Sequence, residues 1–172
     1  MKSGSENERP ISNEWDAWLG RHSAGMLLFA RQQARCEADA QDLVQDAIIE
    51  SWQRGEGSAP PPSALVYATI RRRAIDLARS NDRRGLREQK TGADLPSCWF
   101  DTTAEERERA LVIQQTMHAL PEIYREVLTL KIWGELTFAE IAVTLGVPAN
   151  TAASRYRYGL VELRKLTKEV LA

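Results

Sequence analysis

Apolar residues recur at intervals of three and four along most of this chain, and no segment alternates strictly between apolar and polar residues. Spacing of three and four places side chains on one face of an α-helix, whereas a half-buried strand requires a period of two. The pattern therefore predicts an all-α fold. With 172 residues, the chain has room for one medium domain or two small ones.

The composition is that of an ordinary globular protein. Hydrophobic residues make up 43%, charged residues 27%, and the net charge is -1, which argues against a disordered chain or a uniformly basic coat protein. Cys36 and Cys98 form no disulfide or zinc pattern. The most apolar stretch near the N-terminus, residues 26–30, is far shorter than the ~20 residues of a membrane span. We expect a cytoplasmic protein with no membrane insertion, metal or cofactor.

Three helices are predicted in the first half of the chain. Ser12 or Asn13 is the candidate N-cap of the first, and Asp39 is the predicted N-cap of the second. Residues 55–63 include three consecutive prolines, which cannot continue a helix because proline lacks an amide donor. This segment is therefore expected to be a stiff loop, and the third helix is expected over residues 63–81.

Helical periodicity fades over residues 85–103, where glycine, proline, serine and threonine appear. We predict a flexible linker here, anchored by Trp99 and Phe100. The sequence is thus divided into two predicted helical domains, residues 1–84 and residues 104–172.

The second domain contains the spacing of a helix-turn-helix. Thr137 is expected to cap a short helix, Gly146 to form the turn, and a last helix to start near Asn150. In such a motif the second helix enters the major groove, where hydroxyl and guanidinium groups match base edges and phosphates. An ordinary helical hairpin is the alternative. The candidate DNA contacts are Thr151, Ser154, Arg155 and Arg157.

Positive charge is concentrated around the third helix. Residues 67–90 carry eight basic and three acidic groups, while residues 1–66 carry six basic and ten acidic ones. Such a face can hold a phosphate backbone while exposed bases meet an aromatic or apolar rim, although a solvated helix face is the alternative. The candidate nucleic-acid surface consists of Arg71, Arg72, Arg73, Arg79, Arg83 and Arg84, with Tyr67 on the adjacent inward stripe.

The second helix carries carboxylates at Asp42, Asp46 and Glu50, away from its apolar stripe. No histidine or cysteine lies at helical spacing from them, and no nucleophile is paired with a base, so catalysis and metal binding are not indicated. Beside Leu43 and Trp52, these carboxylates are predicted to form the polar rim of a protein-binding patch. A plain amphipathic core helix is the alternative.

Four motifs in order along the chain resemble those of the extracytoplasmic-function (ECF) sigma factors of bacterial RNA polymerase. The resemblance implies sigma domain two, a linker and sigma domain four, which together act as a promoter-specificity subunit and not as an enzyme. The matching segments are residues 39–46 with Trp52, residues 67–71 with 74–76, residues 120–121 with 125–128, and residues 139–148 with Thr151, Ser154 and Arg155.

The resemblance implies three binding surfaces and two kinds of protein partner. The third helix and the proline-rich loop would recognise and melt the minus-ten promoter element. The resemblance adds Asp76 to the DNA contacts of this helix. The last helix, with Tyr158 added, would read the minus-thirty-five element, while the linker would thread through the polymerase. Partners would include the β flap and an anti-sigma factor. Docking on the β′ clamp helices of core polymerase would use Asp39, Asp42, Leu43, Gln45, Asp46, Glu50 and Trp52.

Four residues depart from the family pattern. Arg72 replaces the usual Asn and Leu65 a common Trp, which bears on base choice at the minus-ten element. Ala153 replaces a frequent Lys and Tyr158 a frequent Arg, so we expect isolated domain four to bind promoter DNA poorly.

Two other functions stay open. One is a sigma-like interaction protein that binds an anti-sigma factor or polymerase without promoter recognition. The other is a conventional helix-turn-helix regulator that uses residues 104–172. An enzyme ranks last, because no nucleophile, metal site or phosphate-cradling motif is visible.

Overall fold

The computed structural model describes residues 9–55, 59–85 and 98–171. Within these ranges the chain forms seven helices and no strands, so the all-α prediction is confirmed. The helices are α1 (Arg9–Arg31), α2 (Glu37–Arg54), α3 (Ser63–Gly85), α4 (Arg107–Ala119), α5 (Glu122–Ile132), α6 (Phe138–Leu145) and α7 (Ala149–Leu171). None of the helices in the described ranges has both the length and the apolar character needed to cross a bilayer.

Two predicted helix starts are wrong. Helix α1 begins at Arg9, before the proposed caps Ser12 and Asn13. Helix α2 begins two residues before Asp39, because the Sγ of Cys36 serves as the N-cap and accepts from the backbone N–H of Asp39 at 3.5 Å. Asp39 therefore lies in the first turn, where a carboxylate interacts favourably with the positive end of the helix dipole.

Helices α1, α2 and α3 form the N-terminal half around a set of fully buried apolar side chains. The ring of Phe29 meets the ring of Tyr67 edge to face, with centroids 5.6 Å apart. Full burial of a large apolar side chain contributes about 1.5–3 kcal/mol, so this cluster is a main source of stability. Its largest members are Met26, Phe29, Val66, Tyr67 and Ile70.

The C-terminal half consists of α4 to α7, with α7 packed against α4, α5 and α6. Helix α7 lies close to α5 at Gly159, where an added Cβ would be 3.2 Å from both Leu128 Cδ1 and Tyr124 Cβ. Leu160, the next residue, has an exposed side chain although it lies four residues from the inward-facing Tyr156. Gly159 faces α5, and a side chain there would require Leu128 and Tyr124 to shift by a few tenths of an ångström.

The two halves share one apolar core. Val127 and Leu130 of α5 and Ile141 of α6 belong to the same contiguous cluster as Phe29 and Tyr67. Helix α1 packs against α5, and α3 packs against α6. Because large apolar interfaces restrict relative domain motion, the two halves form a single body in this structure. The predicted flexible linker falls mostly on residues 86–97, which lie outside the described residues.

Candidate nucleic-acid interface

The three consecutive arginines of α3 are all engaged by carboxylates of the same chain. Arg73 binds Asp46 at 2.9 Å and Glu50 at 2.8 Å, and Arg72 also binds Glu50. Arg71 reaches across to the C-terminal half, where its Nε donates to Glu126 Oε1 at 2.9 Å. The predicted cationic face is therefore neutralised in part by acidic residues of α2 and α5.

Glu50 is the centre of the α2–α3 ion-pair network. Although its partial burial opposes ionisation, Arg73, Arg72 and Arg54 hold the pKa of Glu50 below its ordinary value. Glu50 and Asp46 were assigned to polymerase docking from the sequence, but here both make ion pairs with α3. The acidic and basic surfaces are thus interlocked and not separate.

An open groove of about 590 Å³ runs between α2 and α3. Five carboxylates line it, together with two arginines, so its net charge is negative. Asp76, which the family resemblance assigned to promoter DNA, faces this groove and also lies 3.7 Å from Arg72. The acidic lining favours a basic partner over a phosphate backbone. Its carboxylates are Asp39, Asp42, Asp46, Glu50 and Asp76.

Tyr67 lies in the core and not on the cationic surface. Its side chain is fully buried, and burial raises the pKa of its hydroxyl. Among the described residues this hydroxyl has no hydrogen-bond partner, which costs about 1–3 kcal/mol for a buried polar group. The predicted contact between Tyr67 and promoter DNA is therefore not available in this conformation, although its inward position was expected.

The far side of α3 faces α6 across a second groove of about 290 Å³. Arg71, Ile75 and Arg79 line this groove from α3, and Thr144 lines it from α6. The side chain of Arg79 is exposed. The predicted contacts of Arg83 and Arg84 fall on side chains outside the described part of the molecule.

Helix α2 presents a mixed apolar and polar stripe to solvent. Asp42 and Gln45 are exposed, as predicted for docking residues, and Trp52 is 37% exposed. Ile49, which the sequence analysis missed, is 51% exposed on the same helix. Ile49 lies three residues before Trp52, and this spacing could have placed both side chains on the same face of the helix. Leu43 was also assigned to docking, but it is 6% exposed and belongs to the core.

An aromatic cluster extends this surface onto α1. Trp15 meets Trp52 and Trp18 edge to face, with ring centroids 6.4 Å and 5.8 Å apart. His22 packs against Trp18 at 5.3 Å, and burial followed by the charge of Arg21 lowers its pKa. The two helices therefore share one apolar edge, which the separate sequence patterns did not connect.

The helix-turn-helix is built as its sequence signals predicted. The hydroxyl of Thr137 accepts from the backbone N–H of Glu140, whose carboxylate accepts from the backbone N–H of Thr137 in return. This second bond holds the pKa of Glu140 below its ordinary value. Gly146 ends α6 with φ of 67°, the left-handed region that favours glycine.

Helix α7 presents its predicted DNA contacts with unequal exposure. Arg157 and Tyr158 are exposed, and Arg157 donates to Ser154 at 3.5 Å. Thr151, Ser154 and Arg155 are half-buried. Tyr156 points inward against Phe138 with ring centroids 5.6 Å apart, which fixes the rotation of α7 about its axis.

In the described ranges, no group of three or more histidine, cysteine or acidic side chains is arranged to hold a metal ion. His118 stacks on Trp99 with centroids 5.8 Å apart. The described surfaces offer charged and apolar contacts for binding partners.

Two family models match the chain. Sigma-70 region 2 matches residues 20–84, and sigma-70 region 4 matches residues 110–163. The RNA polymerase sigma-E factor of Streptomyces avermitilis is 26% identical over 152 residues, which cover 88% of this chain and 84% of the relative. The ECF RNA polymerase sigma factor SigK of Mycolicibacterium vanbaalenii is 30% identical over 134 residues, which cover 73% and 67%.

Two solved structures share the fold. The sigma factor RpoE in complex with the anti-sigma factor NepR from Bartonella quintana aligns with a TM-score of 0.70 and 18% identity, covering 91% of this chain and 98% of that one. The structure of CnrH in complex with the cytosolic domain of CnrY aligns with a TM-score of 0.61 and 19% identity, covering 93% and 91%.

Proposed function

This chain belongs to the ECF sigma factors of bacterial RNA polymerase. We propose which of its surfaces bind core polymerase and which bind promoter DNA during transcription initiation. It binds core polymerase, recognises a promoter and helps to melt it, and it carries no chemical reaction of its own. Its place of action is the cytoplasm, where polymerase meets DNA. An anti-sigma factor is its expected regulator.

The exposed stripe of α2 is the proposed docking surface for the β′ clamp helices. Asp42 and Gln45 supply polar contacts, Ile49 and Trp52 supply apolar ones, and Trp15 supports Trp52 from α1. A central apolar anchor surrounded by polar groups is the usual composition of a protein interface. The acidic groove beside this stripe complements a basic partner helix.

The helix-turn-helix carries the proposal for promoter binding. Its capping box and left-handed glycine fix the angle between α6 and α7, and Arg157 and Tyr158 project from α7 into solvent. These features suit insertion of α7 into the major groove of the minus-thirty-five element. This geometry is the single observation that most favours DNA recognition.

The ion pairs of Arg72 and Arg73 do not exclude a role in melting the minus-ten element. The side chains of Arg72 and Arg73 are 48% and 34% exposed. Ion pairs at the surface contribute only about 0–1 kcal/mol to stability. A phosphate can therefore replace Asp46 at small cost, whereas Glu50, which is 19% exposed, would still be paired with Arg54. Contacts with a phosphate backbone also gain free energy from released counterions.

Run-off transcription with core polymerase tests the proposed function. DNA that co-purifies with the polymerase-bound chain would supply the promoter templates. We expect specific transcripts that require the chain. A sigma-like interaction protein would bind core polymerase without producing them, and a conventional helix-turn-helix regulator would bind operator DNA without polymerase.

A further inference from the structure

The groove between α3 and α6 differs in charge from the acidic groove between α2 and α3. Its volume of about 290 Å³ is close to the lower end of the range for small-molecule sites, about 300–1,000 Å³. Three arginines and a single carboxylate line it, so its net charge is positive. They are Arg71, Arg72, Arg79 and Asp76, of which Arg72 and Asp76 also border the acidic groove.

Thr144 lines this groove from α6, and its hydroxyl has no hydrogen-bond partner among the described residues. The residue is only 7% exposed. A buried hydroxyl without a partner costs about 1–3 kcal/mol. A ligand oxygen in the groove would supply the partner that the described part of the chain does not.

Other threonines within helices use their hydroxyls differently. Thr69, Thr116 and Thr167 each donate to the carbonyl oxygen four residues earlier, at 2.8, 2.7 and 2.7 Å. This local bond satisfies the hydroxyl without a ligand. The hydroxyl of Thr144 makes no such bond to the carbonyl of Glu140. It therefore stays available to a group bound in the groove.

The arginines of the groove keep donors for a ligand despite their ion pairs. Arg71 binds Glu126 through its Nε at 2.9 Å, and its two terminal nitrogens carry the other N–H donors of the guanidinium. The side chain of Arg72 is 48% exposed, and that of Arg79 is exposed as well. Guanidinium groups bind phosphate oxygens through charge-assisted hydrogen bonds, often two at a time. These donors therefore suit an anion with several oxygen atoms.

Half-buried apolar side chains complete the lining. Ala68 and Ile75 of α3 add apolar surface beside the arginines. An inorganic anion would leave this surface in contact with water, whereas a ligand with a small carbon frame would cover it. A phosphate monoester supplies both parts, because its phosphate carries a charge of about −1.5 to −2 and strong acceptor oxygens at neutral pH. A phosphate in a nucleic-acid backbone carries a single charge.

We propose that the groove between α3 and α6 binds a small organic phosphate monoester. Its phosphate accepts from Arg71, Arg79 and the hydroxyl of Thr144. Its carbon frame packs on Ala68 and Ile75. Because α3 and α6 both line the groove, the ligand stabilises the folded chain by mass action. This site goes beyond the proposed function, and Thr144 belongs to none of the polymerase or promoter surfaces described above.

Isothermal titration calorimetry of the full chain with phenyl phosphate tests the site. We expect saturable binding of one molecule per chain, and an affinity for inorganic phosphate that is weaker by about fivefold or more, because inorganic phosphate has no ring to cover the apolar wall. In NMR spectra, the amide signals of Thr144 and Arg79 should shift during the titration. Binding of oligothymidine without binding of phenyl phosphate would assign the arginines to a nucleic-acid backbone and overturn the proposal.

Thr144→Val removes the hydroxyl at nearly constant shape. Because this hydroxyl has no partner among the described residues, valine should leave the thermal stability unchanged or raise it, while the affinity for phenyl phosphate falls by about tenfold. Thr116→Val is the matched control. The hydroxyl of Thr116 donates to the carbonyl of Val112, so its loss should lower the stability and leave the affinity unchanged.

Arg79→Gln removes a positive charge from the groove and should also weaken phenyl phosphate binding by about tenfold. Arg21→Gln is its control, since the side chain of Arg21 is 69% exposed on α1 and does not line the groove. Circular dichroism checks the helical content of all variants. Wild-type affinity in folded Thr144→Val and Arg79→Gln would refute the site. These measurements use neither polymerase nor promoter DNA, so a failure of run-off transcription would refute only the proposed function.

Discussion

Arg71 and Glu126 form an ion pair between the two halves of the molecule, with the Nε of Arg71 2.9 Å from Oε1 of Glu126. The Glu126 side chain is 8% exposed and also accepts from Gln33 of the α1–α2 connection at 3.2 Å. One buried carboxylate therefore binds both the α1–α2 connection and the centre of α3.

A double-mutant cycle measures this ion pair. Because the carboxylate is buried and makes charge-assisted hydrogen bonds, we expect a coupling free energy of about 1.5–3 kcal/mol between Arg71→Ala and Glu126→Gln. Urea denaturation of the four proteins gives the value. The cycle of Arg21 with Glu135, an exposed pair at 3.1 Å, should give at most about 1 kcal/mol. Equal couplings in both cycles would contradict the buried character of Glu126.

Gly146→Ala should lower the free energy of unfolding by about 1–3 kcal/mol. Position 146 has φ of 67°, and a Cβ meets nothing within 4 Å, so the cost arises from backbone strain and not from a clash. Gly146→Asn should cost less, because asparagine tolerates the left-handed region better than alanine. Thermal and urea denaturation check the order. If the two variants were equally stable, strain at Gly146 would not be the cause.

The docking and DNA-reading surfaces should be separable by substitution. Ile49→Asp places a charge on the exposed stripe of α2, and we expect it to weaken core polymerase binding at least tenfold, about 1.4 kcal/mol. Leu111→Asp, a similarly exposed residue of α4, is the matched control. Fluorescence anisotropy with labelled core enzyme measures both affinities.

Arg157→Ala addresses promoter binding by α7. We expect it to leave core polymerase binding unchanged and to weaken promoter binding by the holoenzyme. If Arg157 contacts a phosphate, the slope of log affinity against log salt should fall by about 1. A loss of core binding in this variant would show that the two surfaces are not independent.

The Arg31–Glu37 pair predicts how stability depends on pH. The hydrogen bond from Arg31 holds the pKa of Glu37 below its ordinary value of 4.5. Because the pKa of Glu37 is lower in the folded chain than in the unfolded chain, the pair stabilises the fold fully at a pH above the unfolded pKa. This stabilisation is lost as the pH falls through the folded pKa. As the pH falls below about 4.5, the free energy of unfolding should therefore decrease less for Glu37→Gln than for the wild type. Urea denaturation between pH 7 and 3 measures this difference, and parallel curves would contradict it.

Local chemistry explains the parts of the fold that the sequence predicts well. The capping box joins Thr137 to Glu140, only three residues away, and Gly146 ends α6 through its own backbone conformation. Such signals act within one helical turn, so they can be read from adjacent residues. The N-cap of α2 was missed because Cys36 is a rare cap, and Asp39 offered a commoner one.

The functional surfaces required more than local patterns. Periodicity placed Tyr67 on an inward stripe and gave α3 a cationic face, but it could not indicate which residues the other half would cover. The same limit applies to Ile49 and Trp15, whose exposure depends on how α1 and α2 pack.

Residue order alone specifies the all-α class, the helix-turn-helix and the segregation of charge, because these follow from helical period, capping and composition. The packing of the helices in three dimensions sets which charges are paired and which side chains are covered. Arg71 finds Glu126 at a separation of 55 residues, and Arg31 finds Trp99 at a separation of 68. Contacts of this kind depend on the packing of two apolar faces into one core, and no single helix specifies that packing.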